Sequence, residues 1–423
     1  MVKISDIKID IPKYPKLIID TLEKNGYEAY IVGGCVRDAL LGKMPSDYDI
    51  TTNADPQAIK KLFKRTIDTG IKHGTVTVLF YENDKPHTYE VTTFRIDGEY
   101  DDARHPKSVV FVDNLKEDLL RRDFTINAMA YNDKRGLVDE FGGIVDLQKK
   151  IVRAVGNPIE RFTEDALRLL RAIRFSAKLG FEIDEDTENA IPLLAKNLSL
   201  VSKERVQVEL TKTITSDNPE YVSKIFELGL SKYISESLDD IKIGNIEKKL
   251  PIHMAYACFL YNCDAIIVNK FLKDLRLDNN NISKIEHLIN AKMYYKQIVK
   301  CHNSHKYSDE YILIKDLVNY LGYDLTYDFV RLIDINETSV KINDRIKSYV
   351  SELDRDKCPI FLKNLKIDGN DLAKIGFSGQ EIGIALDYIL KIVHKNRTYN
   401  DKKLLQEIAK KAYNTYKGGA YEL

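Results

Sequence analysis

Gly33-Gly34-Cys35-Val36-Arg37-Asp38, followed closely by Asp47-Tyr48-Asp49, decides how the first part of this chain folds. Ala29-Tyr30-Ile31-Val32 is an apolar run that reads as a buried strand, and the glycine pair ends it and opens a short helix from Val36 to Leu41. Such a turn at Gly33 and Gly34 brings backbone N–H groups and a helix N-terminus up to a phosphate, with Arg37 as a charged clamp. Pro45-Ser46 sets a turn, and Asp47 to Thr52 then reads as a strand on which Asp47 and Asp49 share a face. Two carboxylates on one face suit hard, oxygen-seeking Mg²⁺, and a pair of such ions can clamp the attacking and leaving oxygens of a phosphoryl displacement. Gly-Gly is common in turns and Asp-X-Asp is common on surfaces. Joined in this order within one short stretch, they point to nucleotidyl transfer.

The residues that follow extend an α/β domain. Gly74 to Phe80 alternates as a strand, Asn83-Asp84-Lys85-Pro86 reads as a turn, and His87 to Arg95 as the returning strand. Glu90 on that return could complete a carboxylate triad with Asp47 and Asp49, and a solvated hairpin charge fits the spacing equally well. Residues 97–107 are polar, contain Gly and Pro and lack apolar periodicity, which reads as a mobile loop. Beyond about residue 147 the pattern becomes helix after helix. Thr163 reads as the cap of a helix with Glu164 and Asp165 in its first turn, and further helical stretches run over 184–196, 202–214 and 217–229. Near the end, Ile382, Leu386, Ile389, Leu390 and Val393 make an apolar stripe that is core packing. The expected class is α+β, a mixed-sheet head followed by a long all-α extension.

Composition narrows the partners. A chain of 423 residues suggests about three domains, and 64 basic against 64 acidic residues give no global field for nucleic acid. Any RNA contact must come from local patches. Five scattered cysteines form no Cys-X-X-Cys spacing, so neither a disulfide framework nor a zinc site is indicated. The start, Met-Val-Lys-Ile-Ser-Asp, has no signal-like apolar core and no apolar run is long enough to span a membrane, so a cytoplasmic protein is expected.

Two further segments carry chemistry. In Glu164 to Phe175, the three-residue spacing puts Asp165, Arg168, Arg171 and Arg174 on a slowly drifting polar stripe of one helix. A solvated, salt-bridged face is the commoner meaning of such a stripe. Against it, three arginines with one interleaved acid repel one another unless an anion sits among them. An Asp–Arg pair can also read a base. Carboxylate accepts from the amino group of cytosine or adenine and guanidinium donates to the ring nitrogen, whereas uracil and guanine present the reverse polarity. In Arg121 to Ala128, Asp123 and Asn127 share a face if the segment is a helix. A carboxylate with an amide could bind a ribose 2′-hydroxyl and Arg122 a phosphate or sugar, and ordinary surface polarity fits the spacing as well.

Taken in order, these segments resemble the motifs of class II tRNA nucleotidyltransferases, the CCA-adding enzymes, and of bacterial poly(A) polymerases. Gly33 to Asp38 with Asp47-Tyr48-Asp49 resembles their active-site motif, and Arg121 to Ala128 their sugar-recognition motif. Gly142 to Leu147 is similar to their head–neck linker. Glu164, Asp165 and Arg168 resemble the nucleotide-templating motif, and Ser202 to Arg205 with Glu209-Leu210 its supporting helix. The resemblance implies Mg²⁺ on Asp47 and Asp49, with Glu90 as third carboxylate. It assigns Gly34 and Arg37 to the triphosphate, Arg122 and Asp123 to the sugar, Asp165 and Arg168 to the base, and Arg171 and Arg174 to phosphate or template support. It also implies a catalytic head (1–146), a base-recognising neck (147–215), a body (216–350) and a tail (351–423), with tRNA held by the last two and CTP and ATP as substrates. No stable protein partner is implied. Asp68 to Thr77 looks like the CCA-adding branch, and the full-length loop at 97–107 speaks against an enzyme adding C-C alone. In the CCA-adding reading, that loop repositions the base-reading pair between C and A. An enzyme adding only the terminal A, a poly(A) polymerase and a catalytically silent RNA-binding protein are the other expectations. Some relatives carry a phosphohydrolase domain with paired His-Asp residues, and no such dyad follows residue 215.

Overall fold

The computed structural model describes residues 7–98, 109–238, 241–337 and 340–417. Two compact units emerge, Met1–Asp240 with Asp274–Arg276, and Ile241–Lys273 with Leu277–Leu423.

The first unit opens with α1 (Lys13–Lys24), which buries Pro15, Ile18, Ile19 and Leu22. There follow β1 (Ala29–Val32), α2 (Gly34–Leu40), β2 (Asp49–Thr52), α3 (Pro56–Leu62), β3 (Thr66–Gly70), β4 (Thr75–Glu82) and β5 (Lys85–Thr93). A short pair, β6 (Arg95–Asp97) and β7 (Val109–Phe111), precedes α4 (Leu115–Leu120), β8 (Met129–Asn132) and β9 (Gly136–Asp139). Seven strands form one sheet in the order β3-β4-β5-β2-β1-β8-β9. Its one parallel contact is β2 against β5, so the sheet is mixed. Every residue of β1 and β8 is buried, as strands covered on both faces must be. Tyr30, Val32, Ala128, Ala130, Phe94, Leu115, Leu119 and Val155 share one core cluster.

The expected hairpin is present and longer than its alternation suggests. Its turn is Asn83-Asp84, with φ of 51° and 60°, the left-handed pair that a two-residue hairpin loop favours. β6 and β7 pair Asp97 with Val109. The expected loop at 97–107 lies, apart from its first two residues, outside the described residues.

From residue 143 the unit is largely helical, with α5 (Gly143–Lys149), β10 (Ile151–Val152), α6 (Pro158–Glu164), α7 (Leu167–Leu179) and β11 (Glu182–Ile183). It continues with α8 (Glu185–Leu194), α9 (Lys203–Ile214), α10 (Lys224–Glu227) and α11 (Ser231–Ile234). Three expectations need correction. Thr163 caps nothing: it sits inside α6 and its hydroxyl donates to the Ile159 carbonyl at 2.7 Å. Asp165 is extended (φ −141°, ψ 101°) between α6 and α7, so it does not share a helix with Arg168. The stretch 217–229 is a 3₁₀ turn (Pro219–Ser223) followed by the single turn α10, not one helix.

The regular elements among the described residues of the second unit are all helical. They comprise α12 (Ile252–Phe259), α13 (Ala265–Asp274), α14 (Asn279–Asn303), α15 (Tyr307–Leu321), α16 (Tyr323–Asn336), α17 (Val340–Arg355), α18 (Gly369–Ile375), α19 (Gln380–Lys395) and α20 (Lys402–Lys417). Ile389 and Val393 of α19 are buried with Leu372, Phe377 and Leu405, and Ile382 and Leu386 pack at the edge, so the apolar stripe is core. No helix among the described residues is long and apolar enough to cross a membrane.

Candidate active site

Strand register assembles the carboxylates. β2 and β5 run parallel with Ile50 opposite Val91, so Asp49 and Glu90, each one step earlier, come side by side. Asp47 lies before the strand and not in it, because the Pro45-Ser46 turn runs up to it and the Ser46 hydroxyl donates to its Oδ1 at 2.9 Å. All three acids reach solvent. Protein atoms crowding the Asp49 carboxyl raise its pKa, the charges of Asp47 and Glu90 raise it further, and Arg122 opposes them. Negative charge thus converges here. Among the described residues no three His, Cys, Asp or Glu side chains form a ready cage for a metal. Mg²⁺ does not require one, since it binds through one or two carboxylates with waters and substrate phosphates completing its shell. The oxygen-only donors Asp47 and Asp49 fit that ion.

The glycine turn stands beside them. Gly33 has φ +81°, and a Cβ there would fall 2.9 Å from Arg122 Nη1. Glycine is required both by the left-handed backbone and by the closeness of that arginine. The N–H of Gly33 donates to the Met129 carbonyl at 3.0 Å, which fastens the turn to β8. The helix starts at Gly34, earlier than its apolar pattern suggests. Arg37 does not project from it. It is buried, with Nε donating to Asp38 at 2.8 Å and Nη1 to the Asn127 side-chain oxygen at 2.5 Å.

The segment expected to be a helix at 121–128 is instead a turn, a single β-bridge from Phe124 to Ala154, and a 3₁₀ turn over Thr125–Asn127. Burial decides this. Phe124 is fully buried, and Thr125 donates to the buried Asp146 of α5 at 2.7 Å. Asp123 and Asn127 nonetheless meet, the amide nitrogen donating to Asp123 Oδ1 at 3.0 Å. The other Asp123 oxygen accepts from Arg171 Nε and Nη2 at 2.8 and 2.5 Å. Burial works against the Asp123 charge, yet Arg171, the Asn127 amide and Arg168 together hold its carboxyl far below the usual range. Glu209 of α9 lies 3.8 Å from Arg171 and accepts from Arg174 Nε at 2.7 Å. One polar chain therefore runs Arg37–Asn127–Asp123–Arg171–Glu209–Arg174. The three arginines Arg37, Arg171 and Arg174 also lie 3.7–5.3 Å from the Phe175 ring centre.

The anions among the α7 arginines are thus the protein's own carboxylates, brought from other elements. Arg168 Nη1 donates to Glu164 at 2.7 Å and to the Arg161 carbonyl at 2.9 Å, and Nη2 to the Arg121 carbonyl at 2.7 Å. Asp165 Oδ1 accepts from the Leu167 N–H at 3.1 Å, capping α7 from outside. Arg205 of α9 grips both Asp165 oxygens at 3.2 and 2.8 Å.

Asp118, Thr51 and Phe175 are the site residues that sequence reading missed. Asp118 carried a signal, since it stands three and four residues before Arg121 and Arg122, the spacing of helical ion pairs. In the second unit, His253 and His394 each meet a carboxylate distant in sequence (Asp328 and Asp316), and His302 meets Glu310 eight residues on.

Comparison with known proteins places the chain among relatives of one family. The family model described as the poly A polymerase head domain matches residues 29–153, and that described as the "Probable RNA and SrmB- binding site of polymerase A" matches 180–242. The CCA-adding enzyme of Oceanobacillus iheyensis is 38% identical over 404 residues, covering 92% of this chain and 95% of its own. That of Lactiplantibacillus plantarum is 36% identical, covering 93% and 95%. The crystal structure of the Bacillus stearothermophilus CCA-adding enzyme in complex with CTP superposes with a TM-score of 0.75 at 27% identity, over 97% of this chain and all of that one. The Thermotoga maritima enzyme complexed with tRNA shares the fold at a TM-score of 0.64 and 22% identity.

Proposed function

The chain belongs to the family of CCA-adding enzymes, and on that premise we propose how its own residues carry out the reaction. It is a nucleotidyltransferase that adds C-C-A to the 3′ end of tRNA from CTP and ATP, without a nucleic-acid template. Enzymes of this family use a divalent metal ion. Here the metal is Mg²⁺, held by Asp47 and Asp49, with Glu90 as the neighbouring third carboxylate. When bound, the ion supplies charge neutralisation at the α-phosphate and a lowered pKa for the attacking 3′-hydroxyl. The new bond joins the tRNA 3′-oxygen to the α-phosphorus, and the α–β anhydride bond breaks to release pyrophosphate.

The remaining residues bind and orient. Gly33 and Gly34 let the triphosphate approach the backbone, and Arg122 contacts its phosphate or sugar. Asp123 and Asn127 line the ribose while Arg37 and Arg171 hold them in place, and Arg174 braces the assembly through Glu209. Asp165 accepts from the amino group of cytosine or adenine and Arg168 donates to the ring nitrogen. The observation that carries this reading is the single polar chain from Arg37 to Arg174, which begins at the glycine turn and ends on the helix that bears Arg168. Residues 1–146 act as the head, 147–215 as the neck, and the body (216–350) and tail (351–423) hold tRNA in the cytoplasm.

The test is loss of chemistry without loss of binding. Asp47→Ala and Asp49→Ala should each abolish incorporation of CTP and of ATP while tRNA affinity persists. A wild-type rate in either variant would remove that residue from the metal site.

A further inference from the structure

A fully buried carboxylate, Asp118, links strand β2 to Arg122. Asp118 of α4 accepts at Oδ1 from Nε and Nη2 of Arg121, at 3.0 and 2.7 Å. Its Oδ2 accepts from the Thr51 hydroxyl at 3.1 Å and lies 3.5 Å from Nη2 of Arg122. Thr51 stands two residues beyond Asp49 on β2, and so on the same side of that strand. Arg122 in turn overlies Gly33 and acts on Asp49. Its Nε is buried and has no hydrogen-bond partner among the described residues.

The pairing is more than burial demands. Arg121 satisfies one oxygen and Thr51 the other, so the surplus attraction falls on Arg122. A free arginine side chain must give up rotamer entropy before it can meet a ligand. A fixed negative charge beneath the guanidinium removes much of that freedom in advance. The Asp118 carboxyl is kept ionised despite its burial by Arg121 and Arg122 and by the bonds from Arg121 and Thr51.

We propose that Asp118 is a positioning residue for nucleotide binding: it holds Arg122 over the Gly33–Gly34 turn and, through Thr51, ties it to the strand that carries Asp49. The proposal rests on the reading that Arg122 contacts the nucleotide.

A double-mutant cycle on the full-length enzyme tests it, reading KM and kcat for CTP and ATP together with the melting temperature. Asp118→Asn, which keeps the side chain's shape, should raise KM for both nucleotides by about tenfold, with a smaller change in kcat. Arg122→Ala should also raise KM, and the double variant should be no worse than Arg122→Ala alone. Multiplying effects would overturn the proposal, because Asp118 would then act independently of Arg122. A lowered melting temperature with unchanged KM would also overturn it, leaving Asp118 a structural role only. A wild-type KM in Arg122→Ala would sink the underlying reading and the proposal with it, whereas multiplying effects would leave that reading intact. Should Asp118→Asn not fold, Thr51→Val removes the hydroxyl that Asp118 shares with the Thr92 carbonyl and keeps the charge. It should raise KM less, and the rise should vanish in the Arg122→Ala background. Persistence of the rise there would contradict the proposal.

Discussion

Arg168 and Asp165 are bound yet not used up. Three hydrogen bonds fix the plane of the Arg168 guanidinium, and among the described residues its Nε and one Nη2 hydrogen remain for a ring nitrogen. Asp165 takes two bonds on Oδ1 and one on Oδ2, which leaves Oδ2 an acceptor position for an amino group. Arg205 fixes Asp165 in place, so under the proposed base-reading role it acts as a preorganising residue that need not touch the base. Arg205→Met should therefore lower kcat/KM for CTP and ATP alike, by ~10–100-fold if Asp165 turns by about an ångström. Unchanged values would show that Leu167 alone orients Asp165. Asp123 gives a second prediction, in stability. Its folded carboxyl is depressed below its ordinary value of 3.8, so it stabilises the fold above that pH and the contribution fades as pH falls through the depressed folded value. The difference in melting temperature between the wild type and Asp123→Asn should be widest near neutral pH and should narrow in acid. A gap constant with pH would contradict the Asp123–Arg171 pairing.

At the scale of elements, the glycine turn is the most exacting feature. Gly33→Ala must adopt a left-handed backbone at a cost of about 1–2 kcal/mol and displace Arg122 from 2.9 Å. It should lower the melting temperature and raise KM for both nucleotides, and a silent Gly33→Ala would mean the turn is not held as described. The strand–turn–helix entry was legible because Ala29 to Val32 is apolar throughout and the next two residues are glycines. The Asn83-Asp84 hairpin was legible for a similar local reason. Arg121 to Asn127 was not legible, because Phe124 and Thr125 are drawn into bonds with residues 154 and 146 that local spacing does not reveal. The start of α7 was misplaced for a related reason. Thr163-Glu164-Asp165 has the composition of a helix cap, yet Asn157 caps the earlier α6 with its side chain on the Ile159 N–H, and Asp165 breaks the chain between the two helices. The acids that neutralise Arg171 and Arg174, Asp123 and Glu209, come from far along the chain, so the stripe looked unbalanced when read alone.

For the whole molecule, the residues proposed as head and neck fall within one compact unit, and the polar chain from Arg37 to Arg174 runs entirely within it. That arrangement supports one site that makes all three additions with one protein template. C and A differ greatly in size, so selection must rest on donor–acceptor order, and a site that leaves its polar groups unpaired can reject the wrong base by ~10⁴–10⁵. The direct measurement is product sequencing on tRNAs ending at the discriminator base, at C and at C-C, each offered all four nucleotides, for the wild type and for Arg168→Ala. The wild type should yield C-C-A on all three, and Arg168→Ala should misincorporate at each of the three positions. Loss of fidelity confined to the cytidines, or faithful C-C-A from Arg168→Ala, would contradict a single protein-borne template.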